Sequence, residues 1–164
     1  MKNIMTSSMY LPTAAALLAA ALAGPALADE LVPLHGTLQA QELITPGTAP
    51  ETISADGSGA GNATQLGQFK VTWKFTVNLA DGTGSGPVHF TAANGDEIFT
   101  TATGSSVPIK PGYFQIKETH IITGGTGRFA NAQGSFMVVR VLNFDAGLSS
   151  GSFQGIITST GSGK

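Results

Sequence analysis

The stretch Ile121 to Phe136, I-I-T-G-G-T-G-R-F-A-N-A-Q-G-S-F, limits what this chain can become more than any other. Its glycines at 124, 125, 127 and 134 admit positive φ angles that a side chain opposes, so the backbone can reverse within a few residues and bulge as it does so. The runs on either side, residues 113 to 122 and 136 to 144, alternate with period two. One long antiparallel hairpin is expected, with Gly124, Gly125, Gly127 and Gly134 forming its structural turn and Phe129 plugging it. Setting Ile122 opposite Phe136 puts His120 against Val138, Glu118 against Arg140, Ile116 against Leu142 and Phe114 against Phe144, all on one face. Apolar residues then meet apolar ones, and an acid meets an arginine.

The same turn also fits a dinucleotide fingerprint in form, Gly125-Thr126-Gly127-Arg128-Phe129-Ala130, with Asp145 further on. That reading requires a parallel crossover with a helix of roughly ten or more residues. Residues 128 to 135 are too few and include Asn131 and Gly134, so the structural turn is preferred.

The clearest alternation lies earlier. Phe69, Val71, Trp73, Phe75 and Val77 share one face, and Lys70, Thr72, Lys74, Thr76 and Asn78 the other, the pattern of a half-buried antiparallel strand. Each such apolar side chain contributes roughly 1.5 to 3 kcal/mol on burial, so this strand is expected to anchor the core. Further strands are expected at Pro33 to Glu42, Ala63 to Leu66, Val88 to Ala93, Glu97 to Thr103 and Ser152 to Ser159. The Pro, Gly and Ser rich segment from Thr45 to Asn62 reads as a long connection, and Gly104 to Gly112 as another. Asn94-Gly95 suits a two-residue type I′ hairpin, which sets Phe90 opposite Phe99, Ala92 opposite Glu97, and His89 opposite Thr100 on the solvent side. Asp96 and Glu97 then belong to a solvated turn.

Lys2, the apolar run Leu11 to Ala23 and the small residues Ala26-Leu27-Ala28 have the layout of an export signal cleaved after Ala28. The run is shorter than the about 20 residues a membrane helix needs, so a secreted or periplasmic protein with no membrane span is expected. Residues 29–164 make one domain. Without Lys2 the chain carries seven basic against ten acidic side chains and no basic run, which excludes an electrostatic footprint for nucleic acid. With no cysteine, stability must come from packing and hydrogen bonds. Eight short antiparallel strands point to an all-β fold, and closure into a single eight-stranded antiparallel β-barrel removes the edges that a sandwich leaves open.

The run Gly124-Gly125-Thr126-Gly127-Arg128-Phe129, followed by Ala132-Gln133-Gly134 between two late strands, resembles the signature of the dirigent and allene oxide cyclase families and of bacterial secreted proteins with that barrel. The resemblance covers about a dozen residues, with looser support from Asn94-Gly95-Asp96. It implies a calycin-like barrel with a cavity for a small hydrophobic molecule and a tendency to trimerise. In those families the signature turn closes the barrel and the catalytic side chains lie elsewhere.

Glu118, His120 and Arg140 are the candidate catalytic residues. An ion pair set among Phe114, Ile116, Leu142 and Phe144 costs several kcal/mol per ion to desolvate unless it is well hydrogen bonded, so it either fixes register or orients a ligand. Trp73, Phe75, Phe90, Phe99 and Phe114 are the aromatic candidates for a ligand-binding interior. His35, His89 and His120 fall on separate strands without ligand spacing, so neither a metal site nor a cofactor is expected. Three functions follow from different classes. The first is a binding module or structural protein, the second a cofactor-free cyclase or isomerase. The third is a homo-oligomer subunit, with Ile121, Met137, Val139 and Val141 on the outer face.

Overall fold

A computed structural model describes residues 30–158. The expected export signal (residues 1–28) and the tail from Ser159 lie outside the described residues. Eight strands follow one another: β1 (Leu31–Pro46), β2 (Thr52–Ala63), β3 (Gly67–Asn78), β4 (Thr83–Ala92), β5 (Glu97–Lys110), β6 (Tyr113–Gly125), β7 (Gly134–Asn143) and β8 (Leu148–Thr158). Each pairs antiparallel with the next, and β8 pairs with β1, so the sheet closes into a barrel. A single 3-10 turn, Gly127–Phe129, interrupts the β6–β7 connection, which returns the chain antiparallel and rules out a dinucleotide crossover.

The expected strand count holds, but one strand is misplaced. The segment read as a connection from Thr45 to Asn62 is mostly β2, and Ala63 to Leu66, expected as a strand, is the end of β2 and the turn into β3. Glycine and serine give β2 little intrinsic strand preference, yet its neighbours require them. Gly57 faces Trp73 and Gly61 faces Phe69, and a Cβ at Gly57 would overlap the indole. The same device recurs around the barrel, with Phe136 over Gly155 and Phe153 over Gly36. An eight-stranded barrel is just wide enough for side chains to fill, and a large residue over a glycine fits that width. The expected Gly104 to Gly112 connection is likewise the end of β5, which turns at Pro111-Gly112 into β6.

Two registers differ from expectation. In β6–β7, His120 faces Phe136, Glu118 faces Val138, Ile116 faces Arg140 and Phe114 faces Leu142, a slip of two residues that keeps every side chain on its expected face. In β4–β5 the slip is odd. Ala92 N–H donates to Asp96 O at 2.9 Å and only Gly95 has positive φ, so the loop has three residues instead of two. Phe90 therefore faces Ile98, and Phe99 points outward beside His89, their rings 5.0 Å apart.

One end of the barrel is sealed. Leu66, Phe129 and Ala132 are buried there, above the rings of Phe69, Phe90, Phe136 and Phe153 at centroid separations of 5.3 to 6.1 Å. The glycine-dense turn is fastened to the β4–β5 hairpin. Thr126 N–H donates to Glu97 O at 2.9 Å, Glu97 N–H to Thr126 Oγ1 at 3.0 Å, and Arg128 N–H to Asp96 Oδ2 at 3.3 Å. Asp96 is thus an anchor for that turn and not a solvated acid.

Candidate functional site: a charged floor beneath an apolar cavity

Moving from the sealed end toward the other, the inward residues change from aromatic to charged. His120 on β6 stacks on Phe136 at 4.6 Å, and its Nδ1 lies 3.1 Å from Thr100 Oγ1 on β5. One step along β6, Glu118 meets Arg140 of β7 diagonally across the pair. Arg140 Nη2 donates to Glu118 Oε1 at 2.9 Å and Nε to Oε2 at 3.3 Å, a two-point grip. Nη1 donates to Glu42 of β1 and, at 3.2 Å, to Ser149 Oγ of β8. The guanidinium also lies 5.0 Å over the Trp73 ring. Room for these side chains again comes from glycine, with Gly104 opposite Glu118 and Gly151 opposite Arg140.

All three charged groups are buried, with 4 to 7% of each residue exposed. Burial by itself disfavours the Glu118 carboxylate, but the adjacent His120 and the Arg140 guanidinium outweigh it and hold the carboxyl below its ordinary range. Burial likewise works against the Arg140 charge, and the Glu118 and Glu42 carboxylates more than offset it, so the guanidinium stays protonated. His120 Nε2 sits 3.7 Å from Glu118 Oε2, beyond hydrogen-bond reach, and has no hydrogen-bond partner among the described residues.

Beyond this layer the barrel is not filled. A cavity of about 450 Å³ lies above the charges, within the size range of small-molecule sites. Glu42, Glu118 and Arg140 form its floor, and Ile44, Ile53, Phe75, Phe114 and Leu142 its walls. Its rim is the β3–β4 turn, Leu79 to Gly82, with Phe144.

The structure brings together part of the expected set. Glu118, Arg140, Phe75 and Phe114 line the cavity, whereas His120 is packed behind Glu118 and does not. Trp73 is core beneath Arg140, and Phe90 belongs to the aromatic layer. Phe99, expected inside, is on the outer face. His35 and His89 are exposed on the outside, and no metal-ligand cluster occurs among the described residues. Glu42 and Ser149 complete the floor without having been singled out from sequence. Glu42 was legible in principle, since it continues the inward phase Leu34, Leu38, Ala40 along β1. Comparison with family models, curated proteins and solved structures found no match for this chain.

Chemically, the floor is a fixed array of carboxylate acceptors around one guanidinium, shielded from water on its lower side by packed rings. It can orient a polar group on a molecule whose body lies against the phenylalanine walls.

Proposed function

We propose that this chain is an exported β-barrel protein of the allene oxide cyclase and dirigent type that holds a small, mostly apolar molecule in the cavity above Glu42, Glu118 and Arg140. The observation that carries the reading is the division of one barrel interior into a solid aromatic half and an open half with an ionic floor. A barrel serving only as a scaffold gains stability from filling both halves, and a buried ion cluster is costly to keep where apolar packing would do. Native mass spectrometry of the purified protein, followed by organic extraction, tests it. The expected result is a single co-purifying small molecule, or a one-to-one complex with an added apolar probe. Absence of both refutes it.

A cofactor-free cyclase or isomerase is the second reading, favoured by the buried His120 Nε2 facing the Glu118 carboxylate. Turnover of a bound ligand that is lost in His120→Gln, with binding retained, supports it. Self-association is proposed separately, on the apolar outer stripe of Ile121, Met137, Val139 and Val141, each 38 to 51% exposed. A monomer in light scattering removes that idea.

A further inference from the structure

A guanidinium offers five N–H donors, and four contacts already occupy Arg140: two to Glu118, one to Glu42 and one to Ser149. Arg140 therefore has little left with which to receive an anionic ligand. Acceptors are plentiful instead. Only one Glu42 oxygen is hydrogen bonded among the described residues, and that residue lines the cavity.

The wider lining has the same bias. Three carboxylates face the cavity, Glu42, Glu118 and Asp81, against the single guanidinium of Arg140. At the rim, Asp81 accepts from the Thr83 hydroxyl at 2.7 Å and from Thr83 N–H at 2.9 Å, contacts that hold its carboxyl below the ordinary range. No lysine lines the cavity, and even a protonated His120 behind the floor leaves the acids in excess by one. The walls and rim carry three phenylalanine rings, Phe75 and Phe114 on the walls and Phe144 at the rim, and the face of such a ring attracts cations.

We propose that the cavity selects an apolar molecule bearing a protonated amine, whose ammonium group is received by the Glu42 and Glu118 carboxylates and whose hydrocarbon body lies against the phenylalanine walls. This rests on the cavity being a binding site, as proposed above. A carboxylate of the same shape meets like charge and a guanidinium with four of its five donors in use. An alcohol gains a hydrogen bond without the ionic attraction.

Titration calorimetry at pH 7.5 with decylamine, decanol and decanoate, each below its aggregation concentration, separates the two claims. Decylamine is expected to bind one to one and about tenfold or more tighter than decanoate. Asp81→Asn at the exposed rim and Glu42→Gln on the floor should each narrow that ratio; the rim variant removes charge without touching the buried cluster. Decanoate or decanol binding as tightly as decylamine overturns the amine preference and leaves the cavity reading standing. A ratio unchanged in both variants also overturns it, since the amine is then bound elsewhere. If none of the three binds, both readings fail.

Discussion

Replacing Arg140 by Leu removes the one cation that two buried carboxylates share, and its consequence can be worked out from the floor geometry. Glu42 and Glu118 are 7% and 6% exposed and lose four guanidinium contacts between them and Ser149. Breaking a buried pair by removing one partner costs about 3 to 5 kcal/mol, which for a domain of this size lowers Tm by about 10 to 20 °C. The loss should depend on pH. In the wild type the Glu118 pKa is depressed, so its contribution is present above the unfolded value of about 4.3 and fades as pH falls through the folded value. In the variant the Arg140 contribution is gone and only the neighbouring His120 still opposes burial, so that pKa moves up relative to the wild type, and the penalty is largest at neutral pH and eased on acidification. Thermal melts followed by circular dichroism from pH 4 to 8 should show the widest gap at the alkaline end. A difference below about 1 kcal/mol that is the same at every pH would refute the reasoning.

Other outcomes follow from the same structure. Glu118→Gln should flatten the acid limb of the wild-type stability profile, measured as Tm against pH between 3 and 6. Gly57→Ala places a methyl group inside the Trp73 indole and should cost about 1 to 3 kcal/mol; Trp73 is the sole tryptophan, so a shifted emission maximum should accompany the loss. Phe129→Ala, at a side chain with no exposed surface, should cost about 3 to 5 kcal/mol in urea denaturation. Gly127→Ala strains a φ of +53° and crowds Asp96, so it should destabilise by about 1 to 3 kcal/mol, read in the same assay.

Much of the fold was written in period-two alternation, and the failures mark where alternation carries no information. The faces of β3, β6 and β7 were legible because a large apolar residue stands at nearly every second position. Their pairing was less so: the Gly124 to Gly134 connection contains a 3-10 turn whose length no alternation encodes, hence a register two residues away from expectation. Because two is even, Glu118 and Arg140 stayed on one face and meet diagonally. At Asn94-Gly95 a loop one residue longer than expected inverted the parity of the following strand, exchanging Phe99 for Ile98 in the interior. β2 was invisible by itself, since Gly57, Gly59 and Gly61 are small only because Trp73, Phe69 and Ala40 crowd them from neighbouring strands. Of the floor, Glu118 and Arg140 stood out as charges within apolar runs. Glu42 sits in a strand whose outer positions are polar as well, so its inward phase drew no notice. That half the interior is open depends on side-chain volumes summed over all eight strands, which no single stretch discloses.

The most direct test of a ligand-holding cavity is to fill it. Val77→Trp places an indole among the walls above the floor while leaving the Glu42, Glu118 and Arg140 contacts in place. Calorimetric titration of one apolar amine into both proteins should show one-to-one binding to the wild type and none to a variant whose Tm is maintained. Equal binding to the two proteins would contradict the account.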